Sequence, residues 1–244
     1  LLRMDVIVVD DDQVATAPLD GAVMALISES VDSVKVRDRF VNASIPIWLS
    51  EPSTFDDMGF VGPDWARDYG DAQNVTQLQV LASGSLSAGK TGVLAVTNAG
   101  TKVVWGRPVG DVLRIASLVG DPSKVAIFGY EAGARNLRGP VPARRLGWFA
   151  GAASAELLSA DGWALFDAGL IWLMGVGRVE EVQTGAKRAL LVIGDGLAVA
   201  ADRDHEAVHR VARAIWCGMN SRFDFHEPVR QLPLFAPVEP EACH

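Results

Sequence analysis

Cysteine is nearly absent from this sequence, with Cys217 and Cys243 the only two among 244 residues. Two cysteines exclude the multi-bridge framework that stabilises small secreted domains. Neither cysteine stands in the Gly-x-Cys-x-Gly pattern of a nucleophile on a strand-to-helix turn. The sequence therefore predicts two free thiols without a catalytic role, the alternative being one bridge that closes the C-terminal segment.

Positive charge and long apolar runs are also scarce. The chain has 22 Lys and Arg against 30 Asp and Glu, a formal net charge of −8. This balance argues against nucleic acid and anionic membranes as partners. No apolar run reaches the length of a membrane span, and the first residues lack signal-peptide anatomy. We expect a soluble protein, either cytoplasmic or secreted after removal of a leader.

Three short apolar runs organise the N-terminal part of the chain. They cover residues 5–10, 23–28 and 45–50, and each ends in serine or an acidic residue. Continuous runs of this length are typical of strands buried on both faces. Residues 16–19 and 33–41 would connect them in a parallel sheet with helices on both faces. Ligands bind such sheets at the carboxyl ends of the strands.

The pattern of polar and apolar residues changes after residue 74. We expect residues 64–74 to be irregular. Short alternating segments then predict antiparallel strands at residues 76–81, 92–97, 102–105, 112–118, 125–130 and 145–149. Residues 159–174 predict an amphipathic helix capped by Ser159. The predicted fold class is α/β, a three-layer flavodoxin-like sandwich with a mostly parallel central sheet and antiparallel additions, in a single domain over residues 1–244.

Several segments together resemble a known family. They are Ser28-Glu-Ser30, Ile45-Pro-Ile-Trp-Leu-Ser-Glu-Pro52, Trp105-Gly-Arg-Pro108, Ala126-Ile-Phe-Gly-Tyr-Glu-Ala-Gly133 and Asp161-Gly-Trp-Ala-Leu-Phe-Asp-Ala168. Over residues 5–174 the chain resembles the class I glutamine-amidotransferase-like superfamily. The nearest branch is the trehalose-utilisation (ThuA-like) one, with its modules in large bacterial secreted proteins. The resemblance implies a carbohydrate-related role. The glutaminase members use a cysteine where this chain has Trp48-Leu-Ser-Glu51-Pro52, so we predict no glutaminase activity.

The order of the segments predicts a circular permutation. The family begins with a strand–helix unit that is missing before residue 5, and residues 186–218 resemble that unit. We therefore expect a strand at residues 189–193 to pair in parallel with residues 5–9, and residues 219–244 to form an extended proline-rich tail. Alternatively, residues 186–218 are a truncated second copy of the domain. A partner chain would then fill the position beside residues 5–9 in the sheet, which gives a swapped homodimer.

The acidic residues that follow the predicted strands form the candidate site. We predict Glu51, Ser28 and Ser30 as catalytic residues, and Asp10, Asp12, Glu29 and Asp195 as ligand-binding residues. Clustered carboxylates raise one another's pKa and provide an acid and a base. Alternatively, these acidic residues have a structural role, since acids that follow strands often cap the next helix.

One further motif leaves zinc open as a cofactor; we expect no other. His205-Glu-Ala-Val-His209 matches the H-E-x-x-H pattern, in which two histidines on one helix face hold zinc beside a glutamate. Glu227 is the candidate third ligand, with His226 as the alternative. The alternative is a solvated helix face that matches the motif by chance.

Three functions remain open from the sequence. The first is a carbohydrate-related module that binds or processes a polyhydroxylated ligand at the acid-lined edge of the sheet. The second is a hydrolase that acts through zinc or through carboxylates and serines. The third is a non-catalytic scaffold domain.

Overall fold

The computed structural model describes residues 4–14, 19, 21–151, 154, 157–176 and 187–194. Most of these residues belong to one mixed sheet of eleven strands or to the segments packed against it. The strands are β1 (Met4–Asp10), β2 (Ala22–Ile27), β3 (Ile47–Leu49), β4 (Tyr69–Val75), β5 (Gln77–Val80), β6 (Val93–Ala95), β7 (Thr101–Gly106), β8 (Leu113–Leu118), β9 (Asp121–Tyr130), β10 (Arg135–Asn136), β11 (Gly139–Pro140), β12 (Arg145–Gly147) and β13 (Lys187–Ile193). The helices are α1 (Ser33–Val36) and α2 (Ala160–Met174), with short 3-10 turns at Asp11–Gln13, Pro52–Thr54 and Ser85–Ser87.

The sheet has a parallel half and an antiparallel half. Its order is β1-β13-β2-β3-β12-β9-β8-β5-β6, with β7 paired to β9 and β4 paired to β7, while β10 and β11 form a separate hairpin. The strands from β1 to β12 in this order pair in parallel, and every pairing beyond β12 is antiparallel. The predicted α/β class is confirmed, with an antiparallel part larger than the additions we expected.

Strand β13 lies between β1 and β2, although it comes last among the described strands. Val192 of β13 is in register with Val9 on one side and with Ile27 on the other. All three side chains are buried in one apolar cluster. The parallel pairing predicted for residues 189–193 is therefore confirmed within the same chain. The predicted helical part of this unit and the tail lie outside the described residues.

Each face of the sheet carries its own apolar core. On one face α2 packs through Leu165, Leu170 and Leu173. Ser159 caps this helix as predicted, because its hydroxyl accepts a hydrogen bond of 3.1 Å from the Gly162 N–H. On the other face α1 and the turn at Pro52–Thr54 cover a cluster of edge-to-face aromatic rings that belongs to Phe55, Phe60, Phe128 and Tyr130. The two cores make this a layered arrangement, with the sheet in the middle.

Arg145 of β12 is a fully buried cation that is bonded to backbone carbonyls. Its Nη1 donates to the carbonyl of Ile45 at 2.9 Å, and its Nη2 donates to that of Val41 at 3.4 Å. Further carbonyls that accept from it belong to Phe40, Ala43, Ala143 and Arg144. No carboxylate pairs with Arg145 among the described residues, and burial lowers the pKa of Arg145 to about 10. The guanidinium thus satisfies a loop whose carbonyls would otherwise be buried without donors.

The prediction of irregular structure over residues 64–74 is wrong for its last six residues. Tyr69–Val75 forms β4, which pairs with β7 in an antiparallel ladder. The sequence Tyr-Gly-Asp-Ala-Gln-Asn-Val has little strand propensity of its own. Its pairing with β7 overrides that local preference. Among the helices of the described residues, none is long and apolar enough to span a bilayer.

Removing residues 186–244 should prevent folding. The truncation leaves β1 and β2 with facing, unpaired edges, and unpaired apolar edges promote aggregation. We expect the 1–185 fragment to appear in the insoluble fraction. Solubility of the expressed fragment and its urea unfolding curve provide the measurement. A soluble fragment with one cooperative transition would contradict the role of β13.

Replacing Arg145 by lysine should destabilise the fold by about 3 kcal/mol, because an ammonium cannot reach carbonyls from both segments and leaves buried acceptors unpaired. The free energy of unfolding in urea measures the effect. Arg107→Lys is the matched control, since Arg107 is exposed and should change stability by less than about 0.5 kcal/mol. Equal stability of the two variants would refute the role given to Arg145.

Candidate functional site

The carboxyl ends of β1, β13, β2 and β3 meet at one edge of the sheet. The Ser28 N–H donates to the Val192 carbonyl at 3.0 Å, and the Ser50 N–H donates to the Ile27 carbonyl at 3.0 Å. Gly194 follows β13 and donates to the Ser30 hydroxyl at 3.3 Å. A side chain at Gly194 would collide with the Ser30 carbonyl and with Asp11, so the three strand ends are in close contact.

Ser28 and Ser30 form a hydrogen-bonded pair within this edge. The Ser30 hydroxyl donates to the Ser28 hydroxyl at 3.0 Å, and the Ser30 N–H approaches the same oxygen at 3.2 Å. All four histidines of the chain lie beyond residue 200, so the described residues hold no imidazole that could activate either serine. The contacts of Ser30 in the described residues are those with Ser28 and with the Gly194 N–H at the end of β13.

Three aspartates, the last residue of β1 and the two that follow it, form an acidic cluster beside Lys35. Asp10 accepts from the Asp12 N–H at 2.9 Å and caps the turn that follows β1. Asp11 is buried, accepts from the Asp32 N–H at 2.7 Å and pairs with the Lys35 ammonium at 2.9 Å. Asp12 pairs with the same ammonium at 2.8 Å. Carboxylate oxygens of the three lie within 4.8 Å of one another. Lys35 offsets part of their charge and ties them to α1.

Glu51 is a buried carboxyl directly after β3. Its backbone is extended, as expected before Pro52, and its side chain accepts a 2.8 Å hydrogen bond from the Ser53 N–H. Only 8% of the residue is exposed. Burial raises the pKa of Glu51 from 4.5 to about 7, against the Ser53 hydrogen bonds that lower it; the charge of Glu29 raises it and that of Lys102 lowers it. Glu51 therefore both caps a turn and titrates near neutral pH.

Glu29 forms an ion pair with Lys102, whose position the sequence did not predict. Lys102 lies on β7 in the antiparallel half, and its ammonium contacts a carboxylate oxygen of Glu29. Burial lowers the pKa of Lys102. The hydrogen bond and charge of Glu29, with the charges of Asp71 and Glu51, outweigh that effect and leave the pKa above its ordinary value. Lys102 and Glu51 also interact electrostatically, since the charge of each shifts the pKa of the other.

The structure thus brings Glu29, Glu51 and Lys102 into one electrostatic group at the carboxyl edge. Gly151 lies against Glu29, because a Cβ at position 151 would be 2.5 Å from its Oε2. Asp11 reaches this edge at Gly194, and the partners of Asp10, Asp11 and Asp12 include Lys35 and backbone N–H groups. The other predicted residues (Asp195, His205, Glu206, His209 and Glu227) lie outside the described residues.

Comparison of the chain with protein-family models, with curated proteins and with solved structures found no match. The resemblance to the amidotransferase-like superfamily therefore remains a prediction from the sequence.

Glu51→Gln should make the protein more stable than wild type at alkaline pH. A raised pKa in the folded state means that Glu51 contributes its full stability below about pH 4.5 and loses it as the pH rises through about 7. The loss is on the order of 3 kcal/mol. Glutamine keeps the acceptor for Ser53 and lacks the titration. We expect the difference in unfolding free energy between variant and wild type, measured in urea from pH 5 to 8, to rise in favour of the variant. A pH-independent difference would show that Glu51 ionises normally in the folded protein.

Proposed function

We propose that this chain is a carbohydrate-related module of ThuA-like type that binds a polyhydroxylated ligand at the carboxyl edge of its parallel strands. The observation that carries the proposal is the group formed by Glu29, Glu51 and Lys102. These residues come from the ends of β2 and β3 and from β7, three segments far apart in sequence. Their convergence at the edge where α/β sheets bind ligands favours a site over separate caps.

The chemistry of the group suits hydroxyl groups of a ligand. Carboxylates accept hydrogen bonds and an ammonium donates them, so neighbouring hydroxyls can each find a complementary partner. The charges of Glu29 and Lys102 offset each other, which favours a neutral ligand over an ionic one. The Glu51 carboxyl can donate when it carries its proton and accept when it does not.

The absence of glutaminase activity is part of the proposal. The turn after β3, where glutaminases of this superfamily carry their cysteine, holds Ser50 and Glu51. The backbone of Glu51 has φ −82° and ψ 110°, an ordinary extended conformation. It lacks the strained turn that presents a nucleophile above a sheet.

A hydrolase that acts through carboxylates is the second candidate, favoured by the protonation of Glu51. An acid with a pKa of about 7 can give its proton to a leaving group at neutral pH. Glu29 beside Lys102 is the second carboxylate that such chemistry requires. This candidate differs from simple binding in predicting turnover that declines as the pH rises above about 7.

Titration with trehalose, glucose and sorbitol tests the proposed function. At about pH 8, where most of Glu51 has lost its proton, we expect calorimetry to detect binding by the wild type and about tenfold weaker binding by Glu51→Gln, because a hydrogen bond to a charged group is lost. Glu131→Gln is the matched control. Glu131 bonds to Arg144 and Trp172 near the amino ends of β3 and β12, at the opposite edge from Glu51.

Each outcome of this titration has a defined meaning. No binding of any probe by the wild type would overturn the proposed function and favour a scaffold domain. Equal binding by wild type and Glu51→Gln would place the site elsewhere. Release of glucose from trehalose that is lost in Glu51→Gln and declines above about pH 7 would favour the hydrolase.

A further inference from the structure

The segment that follows β12 lies between the end of β3 and the start of β7. On one side the Trp148 N–H donates to the Leu49 carbonyl at 2.9 Å, at the last residue of β3. On the other side the Phe149 carbonyl accepts from the Val104 N–H of β7 at 2.9 Å. The segment therefore joins the two strands that bring an acid and an ammonium to the candidate site.

Ser154 links Gly151, the next residue of this segment but three, to the backbone of Lys102. Its hydroxyl donates to the Lys102 carbonyl at 2.9 Å and lies 3.1 Å from the Thr101 hydroxyl. Its N–H donates to the Gly151 carbonyl at 3.1 Å. Ser154 is only 1% exposed, so water does not compete for these bonds. A path of buried hydrogen bonds thus leads from Gly151 to the residue that carries the ammonium.

Gly151 also lies against the carboxylate that pairs with Lys102. A Cβ at position 151 would be 2.5 Å from Oε2 of Glu29 and 2.9 Å from its Cδ, closer than nonbonded atoms approach. The third nearest atom, at 3.0 Å, is the Cβ of the same glutamate. The backbone of Gly151 lies outside the left-handed region, so its conformation does not require glycine. The space that Glu29 occupies is therefore what excludes a side chain at this position.

We propose that Gly151 is a positioning residue of the candidate site and holds the Glu29 carboxylate against the Lys102 ammonium. The inference rests on the proposed function, which gives this ion pair a ligand, and adds the residue that sets the geometry of the pair. Oε1 of Glu29 contacts the ammonium, while Oε2 is the atom that a side chain at position 151 would displace. Both oxygens belong to one planar carboxylate, so moving Oε2 also moves Oε1. Even the methyl group of an alanine should therefore separate the pair.

The fold should tolerate Gly151→Ala, because the carboxylate is the far end of a flexible side chain that is 15% exposed and can turn toward solvent. Gly84→Ala is the matched control. The backbone of Gly84 is extended, and a Cβ there would meet no atom within 4 Å. Lys90, which pairs with Asp161 at 2.7 Å, is the control for an ion-paired lysine with a different partner.

The rate at which N-acetoxysuccinimide acetylates Lys102, followed against pH by peptide mass spectrometry, measures the ion pair without any ligand. The hydrogen bond and charge of Glu29 raise the pKa of Lys102, so loss of the pair should move the pH profile of Lys102 to lower pH. At pH 8 we expect Lys102 to react at least about threefold faster in Gly151→Ala and in Glu29→Gln than in the wild type. The double variant should react no faster than Glu29→Gln alone, because the pair is already lost. Lys102 in Gly84→Ala, and Lys90 in every variant, should react as in the wild type.

Calorimetric titration with glucose at pH 8 measures the consequence for a ligand. We expect Gly151→Ala to bind glucose about fivefold more weakly than the wild type, as Glu29→Gln should, because the carboxylate no longer stands beside the ammonium. Gly84→Ala should bind glucose as the wild type does.

The two measurements separate this inference from the proposed function. An unchanged Lys102 profile in Gly151→Ala would refute the positioning role, and so would a shift that persists in the Glu29→Gln background. Failure of Gly151→Ala to fold while Gly84→Ala folds would make the role of Gly151 structural and overturn the inference as well. If the Lys102 profile shifts but the wild type does not bind glucose, the proposed function loses its support and the positioning of the ion pair stands. Wild-type glucose affinity in a Gly151→Ala variant whose Lys102 profile has shifted would remove the pair, and Gly151 with it, from the ligand site.

Discussion

The structure depends on the short strand β12, where the parallel and antiparallel halves of the sheet meet. Three residues pair in parallel with β3 on one side and antiparallel with β9 on the other. Arg145 at the start of this strand binds the carbonyls of the loop that leads into β3. A charge so deeply buried is costly unless its donors are satisfied, and here backbone carbonyls satisfy the two terminal nitrogens. The position of β3, and with it that of Glu51, follows from this contact.

The candidate site combines residues from both halves of the sheet. Glu29 and Glu51 stand at the ends of parallel strands, where the direction of the chain alone brings side chains together. Lys102 arrives from β7, which reaches the same edge through antiparallel pairing with β9 and β4. The electrostatic character of the site comes from this combination. Without the ammonium, burial and the charge of Glu29 would raise the pKa of Glu51 further.

The parallel half was predictable because its signal is local. Runs such as 23–28 can be buried on both faces only as strands of a covered sheet, and the residues that follow these runs mark the carboxyl edge of that sheet. The place of β13 was also predicted, from the resemblance to a family whose opening strand–helix unit would be missing here and would have its counterpart near residue 190. Lys102 was not predictable, since its neighbours depend on the order of the antiparallel strands. The raised pKa of Glu51 was not predictable either, because it depends on burial by segments distant in sequence. Strand β4 was not predictable, because its polar sequence forms a strand only against β7.

The insertion of β13 between β1 and β2 has a consequence for how the chain is made. Val9 and Val192 are neighbours in the sheet although about 180 residues separate them along the chain. A ribosome releases β1 and β2 well before it has translated β13. During that interval the nascent chain has two apolar strands whose shared partner does not yet exist. Contacts of such long range form slowly, and open strand edges invite mispairing. Synthesis of this protein therefore includes a period in which β1 and β2 are open to mispairing, and that period ends when residues 187–193 pair between them.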